Sequence, residues 1–284
     1  MDLRSIEKST VVPDLHMHSV FSDGNYTPEQ LADMASENGV NLVSLTDHDE
    51  IAGNERMQKA CEQKNIAFVP GVEISTNYAN KEIHIVGLNI DTSCPELIKA
   101  LQKTKMNRIE RAEAISNKLK EMGYSGALEG AMKFVTNPNL VSRIHFAKWL
   151  VDIKAAATID SAFEKFIGSG GPGFVPLKAP TIPQAVNLIK QSGGIPVLAH
   201  PGRYGLKDWK LQALLDEFKD AGGKVIEVTT GSHSSKDNTM ISQIAREQDF
   251  IASTGSDFHR LDTRCPIGKQ GDIPSDLTPV WSLF

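Results

Sequence analysis

The feature that most constrains this chain is where its histidines and acids fall: one short apolar run after another ends on them. His16 and His18 close VVPDLHMH, His48 closes VNLVSLTDH, Glu73 lies in AFVPGVEIS and His84 in EIHIVGLNI. His200 closes IPVLAH, Asp257 and His259 close FIASTGSDFH, and Asp23 sits in the turn Ser22-Asp23-Gly24. Together with KVIEVTT, these runs read as strands, and the stretches near 28–38, 52–64, 182–192, 208–221 and 237–248 read as helices. Strands alternating with helices predict an α/β fold with a parallel sheet. Period two places His16 and His18 on one face of their strand. Side chains at the carboxyl ends of parallel strands gather at one mouth of such a fold.

Local signals support this reading. Thr27-Pro28-Glu29-Gln30 offers a capping residue, a proline suited to the first helical turn and a residue able to close a capping box. From about 95 to 168 the alternation stops. Leu97, Leu101, Ile109, Ala112, Ile115, Leu119 and Met122 recur at helical spacing, and segments near 141–153 and 159–167 are also helical. The chain therefore divides into a first barrel part (1–97), an all-helical insertion (98–170) and a second barrel part (171–284). The other charges along 99–121 read as the solvated face of a helix. Gly168-Ser-Gly-Gly-Pro-Gly173 formally matches GxGxxG, but it follows a helix and opens the apolar run FVPL, so it reads as a hinge rather than a dinucleotide loop.

Six imidazoles and three carboxylates converging without a thiolate point to divalent metals. Nine ligand residues exceed what one ion can use, so two or three ions are expected, with Glu73 as the natural bridge. Manganese is the first expectation, and zinc, iron or magnesium are the alternatives. Cys61, Cys94 and Cys265 are odd in number and scattered, which fits neither a disulfide framework nor a thiolate zinc site. Such centres supply a metal-bridging hydroxide, here held by Glu73 and its neighbours, and phosphate ester hydrolysis becomes the leading chemistry. The formal charge of −5 excludes a basic coat for nucleic acid. Divalent cations at the mouth would nonetheless give an acidic chain a cationic pocket. No apolar run reaches the ~18–20 residues of a membrane span, and the opening MDLRSIEKST has no hydrophobic signal core, so a cytoplasmic protein is expected.

The motifs DLHMHSVFSDG, LTDHDEIAG, GVEIS, LAHP and GSDFH, in that order, resemble those of the PHP (polymerase and histidinol phosphatase) family. Ser142-Arg143-Ile144-His145-Phe146, His200-Pro201-Gly202-Arg203-Tyr204, and Glu227-Val228 leading to Gly231-Ser232-His233-Ser234 are similar to the branch that includes 3′,5′-nucleoside bisphosphate phosphatases and ribonuclease AM, a 5′-to-3′ exoribonuclease. The resemblance implies a distorted (β/α)7 barrel of the PHP type with a trinuclear centre. It assigns His16, His18, Glu73 and Asp257 to one metal, Glu73, His84 and His200 to a second, and Asp23, His48 and His259 to a third. It implies release of the 3′-phosphate from nucleoside 3′,5′-bisphosphates, leaving nucleoside 5′-monophosphates, and trimming of 5′-phosphorylated RNA ends. Glu50 departs from the threonine common after the DHD triplet, which bears on the local turn or on a contact behind the ligands.

Four further residues are candidate substrate contacts. Arg143 can hold a phosphate bidentately from the insertion, and Arg203 is placed similarly or else is a solvated loop residue. His233 reads as a substrate contact or general acid, or as loop packing, and Lys178 as a weaker contact. His145 is either an ordinary helix residue or part of the seam beside Arg143. The competing functions are a histidinol-phosphatase-like small phosphomonoesterase, a proofreading-type nuclease module and a non-catalytic metal-binding module. No obligate protein partner is evident.

Overall fold

The computed structural model describes residues 11–79, 81–261 and 265–284; the opening segment 1–10, on which the signal-sequence reading rests, lies outside these. In chain order the elements are β1 (Pro13–Asp14), α1 (Pro28–Glu37), β2 (Leu42–Leu45), α2 (Asn54–Gln63), β3 (Ala67–Tyr78), β4 (Lys81–Leu88), α3 (Pro95–Glu121), α4 (Ala127–Met132), α5 (Arg143–Asp152), α6 (Ile159–Ala162), α7 (Ile182–Gln191), β5 (Ile195–Leu198), α8 (Asp208–Asp220), β6 (Val225–Thr230), α9 (Ser235–Glu247) and β7 (Ile251–Gly255). Thr27 caps α1 through the full capping box with Gln30, and Thr181 with Gln184 does the same for α7.

The strands form one seven-stranded sheet in sequential order. Backbone bonds from His18 N to Phe258 O (2.9 Å) and from Asp257 N to His16 O (2.8 Å) join its first and last edges, so the sheet is a nearly closed barrel. The strand read over 11–18 keeps a two-residue ladder with β2, and beyond Asp14 the chain bonds both to Thr46, just past β2, and to the end of β7. One departure from the expected parallel sheet concerns β4, which runs antiparallel to both β3 and β5. The link between Tyr78 and Lys81 is too short for a helical crossover, which needs about a dozen residues, so only a hairpin can form. This reversal carries the early part of β4, and with it His84, to the mouth where its neighbours end.

Two helical cores explain the middle of the chain. Leu97 and Leu101, near the start of α3, pack with Ile182, Val186 and Ile189 in the barrel core. Ala112, Ile115 and Leu119, farther along, join Phe146, Leu150 and Ile167 in a separate helical core. The 27-residue rod α3 thus belongs to both bodies and fixes one against the other. Gly130 lets α4 approach α5: a Cβ there would stand 2.1 Å from the Trp149 ring. After α6 the chain makes a single π-helical turn over Phe163–Ile167, and the glycine stretch is then tied down by Gly168 N to Phe163 O (2.7 Å) and Gly173 N to Phe166 O (2.8 Å). Among the described residues no helix is long and apolar enough to cross a membrane.

Candidate metal centre

The loops leaving the strands are anchored before they deliver their ligands. Asp47 accepts from Ser19 N, Ser19 Oγ (both 2.7 Å) and Ser22 Oγ (2.5 Å), fixing the turn that carries Asp23. Asp14 accepts from Ser256 N (2.9 Å) and Gly268 N (2.8 Å), fixing the chain just before Asp257. Burial pushes both carboxyls up to about 6, against the hydrogen bonds that favour their charged forms. His200 (φ 32°) and Asp257 (φ 54°) adopt left-handed backbone that residues other than glycine rarely hold. Strain of this kind concentrates at functional sites.

All nine predicted ligand residues meet at the barrel mouth, with Glu73 at their centre. Its carboxylate lies 2.8 Å from His48 Nδ1, 3.0 Å from His84 Nδ1, 3.1 Å from His200 Nε2 and 3.3 Å from Nε2 of both His16 and His18. Asp257 Oδ1 is 3.3 Å from His18 Nε2 and 3.6 Å from His16 Nε2, and Asp23 Oδ1 is 3.3 Å from His259 Nε2. The clusters able to grip an ion are His16/His18/Asp257, His16/Glu73/His200, His48/Glu73/His84 and His18/Asp23/His48/His259. His200 therefore groups with His16 and His84 with His48, whereas the resemblance paired His84 with His200.

The donor set fits divalent cations. His18 Nδ1, Asp23 Oδ1, His48 Nδ1, Glu73 Oε2, His84 Nδ1 and His200 Nδ1 are buried and make no well-aligned hydrogen bond among the described residues, even where an imidazole nitrogen faces a Glu73 oxygen at 2.8–3.0 Å. Leaving so many buried polar atoms unpaired would cost about 1–3 kcal/mol each, a penalty that bound cations remove. Ligand atoms about 3 Å apart are also the edges expected of a polyhedron with ~2.1 Å metal–ligand bonds. Protons occupy the centre when metal is absent. At His84 burial alone would lower the pKa, but Glu73 and Glu82 hold it up at about 10; at His259 Asp23 and Asp257 overcome burial and hold it at about 9. Burial with the neighbouring His259 and His48 drives His18 down to about 3.

A sign follows from these values. Coordination requires neutral imidazoles, and His84 and His259 carry protons at pH 8 in the metal-free fold. Their stabilising effect on that fold is complete below an ordinary histidine pKa near 6.5 and is lost as pH rises through 9 to 10. Metal loading at pH 8 should therefore release protons, and metal affinity should fall as pH is lowered. Calorimetric titration with Mn in buffers of different ionisation enthalpy reads this directly; a buffer-independent enthalpy would contradict it.

Glu227 is a functional residue that the sequence reading quoted but gave no role. It is 1% exposed in the middle of β6, takes His16 Nδ1 at 2.7 Å and accepts from His200 N at 2.7 Å. One carboxylate thus orients two ligand histidines and turns His16 Nε2 toward Glu73. The signal was an acid inside the otherwise apolar run VIEV. Glu227→Gln should weaken metal binding or activity about 10- to 100-fold, as loss of an outer-shell carboxylate commonly does, and metal content after dialysis checks it.

The predicted substrate contacts fare differently. Arg143 lies on the insertion between the Phe163 and Phe174 rings, with Nη2 3.5 Å from Glu82. Arg203 Nη1 pairs at 3.1 Å with Asp257 Oδ2, which Ser232 Oγ also contacts. Both ring nitrogens of His233 are engaged: Nε2 accepts from Gly202 N (2.9 Å) and Nδ1 faces Asn238 Oδ1 (3.1 Å). His233 therefore holds the loop after His200 and has no free nitrogen for an acid step. Lys178 is exposed, and its ammonium faces Glu110 at 3.6 Å, apart from the ligand cluster. His145 closes the cap of α5 by accepting from Ser142 N (3.0 Å). Glu50 holds its own turn, accepting from Ile51 N, Ala52 N and Lys105 Nζ.

One sequence expectation fails outright. Arg108 and Arg111, read as part of a solvated helix face, are only 3% and 5% exposed. Arg108 makes two bonds to Asp49 Oδ2 (3.0 and 2.7 Å) and one to Ser75 Oγ (2.6 Å). Conversely Ile109, one of the apolar residues at helical spacing, is 41% exposed. The barrel mouth offers Asp49 and Glu82 to α3, so arginines take the inward positions.

Fold and site together define a class: an α/β barrel whose mouth is a histidine–carboxylate centre for divalent metal. The chain belongs to the PHP domain family, whose description matches residues 14–167. It is 38% identical over 269 residues to a 3′,5′-nucleoside bisphosphate phosphatase of Chromobacterium violaceum, covering 94% of each chain. It is also 38% identical over 276 residues to the 5′-3′ exoribonuclease Rnm of Escherichia coli, covering 96% of this chain and 94% of the relative. A solved structure of an amidohydrolase from Chromobacterium violaceum with bound sulfate superposes with a TM-score of 0.88 at 37% identity, over 96% of this chain and 95% of that one.

Proposed function

We propose that the protein is a metal-dependent phosphoesterase that removes the 3′-phosphate of nucleoside 3′,5′-bisphosphates, leaving nucleoside 5′-monophosphates, and that trims 5′-phosphorylated RNA from its 5′ end. The observation that carries this is the gathering of eight further ligand side chains around Glu73 at the barrel mouth, beside a cleft that Arg108 lines. Relatives of nearly equal length bearing those two activities support it. His16, His18, Asp23, His48, Glu73, His84, His200, Asp257 and His259 would hold two or three divalent ions, manganese first among them, and the cytoplasm is the proposed setting. Such ions, when bound, polarise phosphoryl oxygens and activate water. A cleft runs from Asp23 and His48 to Arg108, Leu140 and Ser142. A substrate phosphate presented to the metal ligands would leave a second phosphate within reach of the arginines of the insertion. Arg143 is suited to that anion because its planar fork is preset between two aromatic rings. A histidinol-phosphatase-like activity would need a smaller pocket, and a non-catalytic module would be expected to have lost ligands, of which none is missing here.

The test supplies Mn-loaded protein with 3′-phosphoadenosine 5′-phosphate and, separately, with short RNAs bearing a 5′-phosphate or a 5′-hydroxyl. Phosphate with adenosine 5′-monophosphate, and nucleotides released from the 5′-phosphorylated RNA in preference to the other, are expected. Turnover of neither substrate by metal-bound protein would overturn the reading.

A further inference from the structure

Glu82 sits among three guanidiniums at the barrel mouth. It lies two residues before His84 on β4, so both side chains face the barrel mouth. Three guanidiniums surround its carboxylate: Arg108 Nη2 at 3.6 Å, Arg111 Nη1 at 3.4 Å and Arg143 Nη2 at 3.5 Å. They come from two helices, Arg108 and Arg111 from α3 and Arg143 from the first position of α5. Glu82 also lines both clefts at the mouth, one with Asp23, His48 and Arg108 and the other with Lys81, Arg111 and Arg143.

Three cations this close repel one another unless an anion lies among them. Arg108 has Asp49 as a further partner, but among the described residues Arg111 has otherwise the Val175 carbonyl (2.9 Å), and Arg143 its two aromatic rings. The contacts to Glu82 are long and shared, so it compensates the charge without taking up all the donors. A guanidinium has five N–H donors. The cluster is thus held in place with donors to spare, and Arg111 and Arg143 both line the second cleft.

We propose that Glu82 is a positioning residue for substrate: it holds Arg111 and Arg143 as a preset anion-binding fork beside the metal centre and acts on the substrate only through them. This rests on the bisphosphate reading above. Preset donors lower the ordering cost of binding, so the effect belongs in substrate affinity more than in the turnover of bound substrate.

The experiment compares wild type, E82Q, E82D, R143A and the double variant R143A/E82Q, all Mn-loaded. It measures metal content, kcat and KM for 3′-phosphoadenosine 5′-phosphate, and the calorimetric Kd for adenosine 5′-monophosphate. E82Q should raise KM and Kd about tenfold, roughly the worth of one charge-assisted contact, with kcat changed less than about threefold and metal content equal to wild type. E82D, which keeps the charge, should recover part of the affinity. On the R143A background E82Q should weaken binding by less than it does on wild type, because only Arg111 is then left for Glu82 to hold. If E82Q does not fold, E82D on the wild-type and R143A backgrounds gives the same comparison. Unchanged or tighter nucleotide binding in E82Q, loss of metal, or effects of E82Q and R143A that simply multiply would each overturn the proposal. Failure of wild type to turn over the bisphosphate would instead count against the parent reading, while the Kd series still reports on the fork.

Discussion

Glu73→Gln should reduce activity by about 10³-fold or more and lower the number of ions bound at saturation. Glu73 is fully buried and its two oxygens lie within 3.3 Å of five imidazoles, so it enters two of the four ligand clusters. An amide keeps the shape but removes the charge that makes neighbouring cation sites tolerable. Metal ions supply several kcal/mol of charge stabilisation in such reactions, and each 1.36 kcal/mol is a tenfold change in rate. Element analysis beside steady-state rates checks the prediction. Full activity with full metal occupancy in this variant would remove Glu73 from the centre.

The second large effect is on stability. Arg108→Ala should destabilise the protein by about 3–5 kcal/mol, because it leaves Asp49 buried without its cation. Asp49 already holds left-handed backbone (φ 48°), accepts from Ser75 N (3.0 Å) and donates its own N–H to Glu73 O (2.8 Å). The same pair therefore ties α3 of the insertion to the chain beside His48 and Glu73. Arg108→Ala with Asp49→Ala should be less destabilised than the sum of the single variants, since neither charge is then left alone. Denaturant melts of the four proteins measure this; strict additivity would mean that the two residues do not act as a pair.

Much of the site was legible in the sequence because ligand chemistry forces a pattern. A strand can present two ligands to one face only at a spacing of two, as His16 and His18 are, and parallel strands bring their carboxyl ends together wherever the helices run. The reversed direction of β4 was less legible: EIHIVGLNI has the composition of any buried strand, and only the short link before it marks a hairpin. On the inward face of α3 the apolar positions were legible, and the two arginines were not. Along this helix the buried positions run Leu97, Leu101, Thr104, Arg108, Arg111, Ala112, Ile115 and Leu119, a continuous stripe in which Arg108 takes a place that apolar spacing gives to Ile109 and Arg111 sits beside Ala112. That substitution makes sense only once Asp49 and Glu82, distant in sequence, are known to face it. Glu227 and Glu82 share this property: each is a charge inside a strand whose partners lie on other elements.

The most direct measurement is X-ray diffraction from Mn-soaked crystals with anomalous maps at the manganese edge. Two or three anomalous peaks are expected within coordination distance of Glu73 and its histidines, with the Asp23/His48/His259 cluster holding one of them. Absence of any peak at the barrel mouth at saturating metal, or manganese bound only elsewhere on the chain, would contradict it.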